Sequence, residues 1–156
     1  MSFVTLAEAK LHLRVDSSDE DALIAVYITA AEQSAVSLLD RGVYVDGTAL
    51  TAAKAAAPGA LDTACAAYDA AIEAAQAMTD DALQAAATQT AENEWLKACV
   101  THRQTMDGMV ANEAIRAAVL LIVGHLFANR EDVVAGVSVA QLPNGAEWLL
   151  QPYKVY

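Results

Sequence analysis

Basic residues are scarce: nine Lys and Arg stand against twenty Asp and Glu, a net charge of -11, and the positive charges nowhere cluster. A surface that grips phosphates is not expected, because nucleic-acid affinity comes largely from Lys and Arg displacing counterions. Cysteine is nearly absent. Cys65 and Cys99 cannot form a disulfide framework, and pairing residues across a turn near Asp80 puts Cys65 opposite Trp95, so no bridge between them is expected. His12, His102 and His125 each stand alone, without HExxH, Ser-His-Asp spacing or a glycine-rich phosphate loop. Cys99 and His102 have the spacing of half a zinc site, but no second ligand pair accompanies them. Asp16, Asp19, Glu20 and Asp21 lack the glycine and terminal Glu of a calcium loop and read as charge at a helix N-terminus. The expectation is therefore no catalytic residue, no metal and no cofactor.

No cleavable leader is expected, since Glu8 and Lys10 interrupt the first turns, and a cytosol-like compartment is expected. The most apolar stretch, Asn112 to Arg130, matches a membrane span in length, yet Arg116 and His125 lie inside it. It reads as the central helix of a buried core and implies no membrane. Ile115, Ala118, Val119, Ile122 and Leu126 recur on it at helical spacing, Asn112 suits its N-cap, and Asn129-Arg130 suits its end.

What is abundant is alanine, which raises helix propensity far more than it thickens a core. The 156 residues suffice for one all-α domain. Thr5 to Glu8 has the capping-box pattern and opens a short helix with Leu6, Ala9 and Leu13 on one side. Ser18 to Asp21 starts a second helix, whose apolar stripe runs from Leu23 and Ile24 to Leu39, with Gly42 as its stop. Val43 to Gly47 alternates as a short strand or extended arm. From Ala49 to Ala98, 21 of 50 residues are alanine, which marks a compositional boundary. Pro58-Gly59 should break a first short helix there. Leu61, Cys65, Tyr68, Ile72 and Ala75 then step like a coiled-coil seam, and a turn at Thr79 to Asp81 folds the stretch into a hairpin. After the central helix, Val133 to Gln141 reads as an extended crossing, Leu142 to Gly145 as a turn, and Ala146 to Leu150 as a short helix ended by Pro152.

Three blocks, VTLAEAKLHLRVDSSDEDALIAVYITAAEQSAV, IRAAVLLIVGHLFANREDVV and LPNGAEWLLQPY, occur in that order over roughly half the chain. Together they resemble the head-tail connector, or adaptor, proteins of tailed bacteriophages and prophages. The resemblance implies a small helical bundle around a central apolar helix. It implies a structural virion protein of the neck, not an enzyme, met in the host cytoplasm during assembly. Its partners would be itself, in a ring of twelve copies, then the portal protein, and then the next neck protein, a stopper or tail terminator. DNA would be passing cargo. The chain departs from the family in its alanine-rich stretch. On this reading residues 1–48 and 103–156 form the connector core with an extended C-terminal arm, and residues 49–102 form an inserted hairpin. Because shorter members have only a loop there, the hairpin's ends must meet, and it would serve as an outward decoration or a brace between subunits.

Leu142, Pro143, Trp148, Leu149, Tyr153, Lys154 and Tyr156 are the expected contacts with the portal or a neighbouring subunit. Their aromatics are too many for an idle tail, and large rigid side chains dominate interface energetics. A helical partner-binding or small-ligand-binding protein unrelated to virions is the alternative.

Overall fold

A computed structural model describes residues 2–129 and 145–155. The chain divides into two compact units, Met1–Asp46 with Met109–Tyr156, and Gly47–Gly108. Helix dominates both, as the composition requires.

In the first unit, α1 (Leu6–Leu13) opens on the capping box. The Thr5 side chain accepts from the Glu8 amide, and the Glu8 carboxylate accepts from the Thr5 amide at 2.7 Å. The helix closes on Arg14 in the left-handed region, φ 57°, with the Val15 amide donating to the Lys10 carbonyl. Next comes α2 (Asp21–Leu39), which places Ile24, Ile28, Ala31, Ala35 and Leu39 in a buried stripe stepping by four and three. Among the described helices it alone is long and apolar enough to cross a membrane, and this stripe faces the protein's own core. Its N-cap is Glu20, without a side-chain cap bond, and not Ser18.

Nor is Gly42 the stop of α2. The helix ends at Leu39 with Asp40 in the left-handed conformation, φ 52°. Gly42 instead lies against a neighbour: a methyl group there would lie 2.8 Å from the Tyr44 ring, which would have to shift. Val43–Tyr44 forms β1, which pairs in parallel with β2 (Met109–Val110) in the register Val43 to Met109 and Tyr44 to Val110. The Met109 amide donates to the Gly42 carbonyl at 2.9 Å and the Ala111 amide to the Tyr44 carbonyl at 2.8 Å.

The apolar stretch after β2 is α5 (Glu113–Ala128), capped by the Asn112 side chain accepting from the Ile115 amide. Its buried face is Ile115, Ala118, Val119 and Val123. Leu126 is only half-buried and Leu121 is exposed, so the helix has a wet side that its composition concealed. The described C-terminal residues are helical, α6 (Gly145–Leu150) followed by a 3-10 turn over Gln151–Tyr153. The extended crossing expected at Val133 to Gln141 lies outside the described residues.

The second unit is a helical hairpin of α3 (Gly47–Gln76) and α4 (Asp81–Met106). The turn falls where expected, with Asp80 accepting from the amides of Ala82 and Leu83 at 2.9 and 3.0 Å. Pro58 does not break the first helix: α3 runs through it for 30 residues. A proline inside a helix forfeits one backbone bond at about 3 kcal/mol. Here the runs of alanine on both sides favour helix strongly, and α4 braces the site, its His102 Nδ1 lying 3.3 Å from the Ala57 carbonyl. The seam also differs by one position. Cys65 is exposed and Ala64 faces α4 instead, while Tyr68 lies on the seam as expected and meets Trp95 with ring centroids 6.0 Å apart.

Candidate interaction surface

Three ties fix the surface of the first unit. The Glu8 carboxylate of the capping box also takes Arg116 of α5, joining α1 to the central helix. Lys10 pairs with Asp21 at 2.6 Å, joining α1 to α2. Glu32 of α2 accepts from the Ser2 hydroxyl and from the amides of Phe3 and Val4 at 2.7, 2.8 and 3.0 Å, pinning the N-terminal residues so that Phe3 and Val4 are buried. The Glu8 carboxyl is held well below the usual carboxylate range. The Thr5 hydroxyl first, then the Thr5 amide, and more weakly Arg116 hold it at about 2, against partial burial that pushes the other way.

On this frame α6 is amphipathic. Ala146, Leu149, Leu150 and Tyr153 recur at i, i+3, i+4 and i+7 and face the core; Leu150 is only 1% exposed. The backbone secures the same docking: Arg41 donates to the Tyr153 carbonyl at 3.2 Å, and the Val155 amide donates to the Leu39 carbonyl at 3.0 Å, satisfying an orphan group at the end of α2. Leu149 and Tyr153 thus complete their own subunit's core, which corrects the picture of an arm held away from it. Trp148 falls off the stripe and is 82% exposed. Lys154 is half-buried, and Leu142, Pro143 and Tyr156 lie outside the described residues.

Trp148 is not isolated. It lies one turn beyond Gly145, whose Cα sits against Leu121: a methyl at Gly145 would touch the Leu121 side chain at 3.9 Å. Leu121 in turn lies one turn from Gly124, where the missing side chain lets the His12 ring approach, 3.3 Å from where a methyl would stand. His12 is exposed and follows Leu11, which is 82% exposed. His12, Leu121 and Trp148 therefore follow one another along α1, α5 and α6, with the exposed Leu11 beside His12 in the chain. Sequence reasoning singled out Trp148 and missed the others. Leu11 had a visible signal, being a leucine that fits neither side of the Leu6, Ala9, Leu13 stripe. Leu121 had none, because α5 is apolar on every side.

These residues offer large apolar side chains and little chemistry. Among the described residues no three His, Cys, Asp or Glu side chains come together as a metal site would need. The class this defines is an all-α protein with an apolar contact surface. Residues 3–57, the first third of the chain from the N-terminal anchor through α1, α2 and β1 into α3, match the family model of the Phage gp6-like head-tail connector protein. The match supports a role at the phage neck. It ends at Ala57, one residue before Pro58, and includes neither the rest of the hairpin nor α5. No curated protein and no solved structure gives a significant match.

Proposed function

We propose that the protein is a structural adaptor subunit of the phage neck. It assembles as a ring of about twelve copies, seats on the portal vertex and presents a platform to the next neck protein, a stopper or tail terminator. The observation that carries this reading is the exposure of the large apolar side chains Leu11, Leu121 and Trp148, in a chain whose N-terminal third matches the connector family model. Large side chains left in water at 82% exposure are stabilised by a partner surface, and exposed tryptophan is a typical interface anchor. Trp148 is the proposed central contact and Leu142, Pro143, Lys154 and Tyr156 are further proposed contacts, while Leu149 and Tyr153 act from beneath by holding α6 in place.

Charge supports the same role. A ring of subunits each at -11 repels duplex DNA, which suits a channel through which the genome slides without sticking. No enzymatic step is assigned to the protein. The test is to mix the purified chain with purified portal complex and weigh the species by mass photometry. A portal-bound ring near twelve copies is the expected outcome. A chain that stays monomeric at micromolar concentration and leaves the portal mass unchanged refutes the reading.

A further inference from the structure

The hairpin unit is poor in core. Its buried residues are Ala57, Ala75 and Ala91, and methyl groups contribute little burial energy compared with Leu, Ile or Phe. Yet it leaves large apolar side chains in water, among them Leu96 at 59% and Val100 at 44% exposure. These two lie one turn apart on α4, on the side away from Ala91 and Ala98. Between α3 and α4 runs an open groove of about 770 Å³ with Ala67, Ala71, Tyr68, Trp95 and Ala98 in its walls. Alanine walls leave room for larger side chains, and the Leu96 and Val100 ridge has them.

We propose that the hairpin packs on a second copy of itself, the Leu96–Val100 ridge of one copy entering the Tyr68–Trp95 groove of the next. Ridge and groove are different surfaces of one unit, so the contact is head-to-tail and propagates from copy to copy, as a ring requires, instead of closing as a dimer. Charge at its edge is complementary. Lys97 stands on the groove rim, paired at 2.6 Å with exposed Glu94, and can reach Glu92, which flanks the ridge. Area sets the strength. The groove walls, Ala64 to Met78 on α3, span about 21 Å, and a helix is about 10 Å wide. Roughly 400 Å² is buried per contact, about a third of what a stable specific interface needs. Hairpins alone stay apart; they join when the connector cores hold them side by side at high effective concentration. The inference therefore rests on the ring reading above.

The test uses the full chain with Cys65→Ser and Cys99→Ser, to which Ala71→Cys in the groove and Leu96→Cys on the ridge are added. Leu96 faces away from its own α3, so a disulfide between these positions joins copies. After mild oxidation of assembled rings, a ladder of cross-linked chains rising to ring size is expected. Rings that form normally without a ladder overturn the hairpin contact and leave the ring reading standing. Failure of both this variant and the unmodified chain to form rings, with or without portal, overturns both. As a second readout, Leu96→Ser with Val100→Ser should weaken ring association about tenfold while the dilute monomer melts as before. A lowered monomer melt would place the ridge in its own chain's packing and overturn the proposal.

Discussion

Trp148 and Leu150 are two residues apart on α6 and should behave as opposites. Leu150 is fully buried between α6 and the core, so Leu150→Ala removes a packed side chain and leaves a void, at about 2 to 5 kcal/mol. For a unit of roughly 90 to 100 residues each kcal/mol lowers Tm by about 4–8 °C, so a fall of at least about 8 °C is expected. Trp148, at 82% exposure, contributes little to the isolated subunit, and Trp148→Ala should shift its Tm by no more than the effect of about 0.5 kcal/mol typical of surface positions. In assembly the order reverses. An anchor worth about 2 kcal/mol or more corresponds to a loss of roughly 30-fold in affinity for the partner. Thermal melts by circular dichroism and titration against portal complex give both numbers on the same preparations. If Trp148→Ala melts as low as Leu150→Ala, or binds portal as tightly as the unmodified chain, the assignment of the two faces of α6 is wrong.

Three further outcomes are expected. The Glu8 carboxyl, held near 2 in the folded protein against 4.5 ordinarily, contributes stability that is complete above about pH 4.5 and is lost as pH falls toward 2. Glu8→Gln should therefore lower Tm at pH 7, by the effect of about 1 kcal/mol because the group is partly open to solvent, and the gap to the unmodified chain should close in melts near pH 2; a constant gap would count against the capping-box account. Gly42→Ala should destabilise by about 1 to 3 kcal/mol, because its methyl meets the Tyr44 ring at 2.8 Å beside the β1–β2 pair, and an unchanged denaturant midpoint would refute that contact. Replacing residues 47–107 by a Gly-Ser loop of about eight residues should leave a cooperative helical core, since β1 and β2 lie about 4.8 Å apart; loss of the cooperative melt would make the hairpin integral to the core.

Local signals in the sequence fared better than signals that depend on neighbours. The Thr5–Glu8 box and the Asn112 cap formed as expected because each is complete within four residues. Pro58 and Gly42 misled for the opposite reason. A proline's penalty is fixed, but whether it ends a helix depends on the propensity of some twenty flanking residues, and Gly42 answers to the Tyr44 ring instead of to the helix before it. At the candidate site Trp148 could be found by its chemistry alone. The Leu121 and Leu11 positions depend on which side of α5 and α1 meets the core, and that is decided by α6 and by the Glu8–Arg116 tie, over a hundred residues apart in sequence. Leu149 and Tyr153 were legible as apolar, but their partner was not: an amphipathic stripe shows that something covers it without showing what.

The two-residue parallel pairing of β1 with β2 has a consequence for how such a chain can change over generations. It holds the strands on either side of the second unit one strand spacing apart, whatever lies between them. A loop ten times longer raises the closure penalty by only about 2 kcal/mol, and a segment that folds by itself with adjoining ends raises it less. If the core melts cooperatively without that segment, such a chain can gain, lose or exchange the whole of it in a single genetic event, much as a socket accepts different fittings. The same socket would then be open to an engineer, who could graft a reporter or a binding module there.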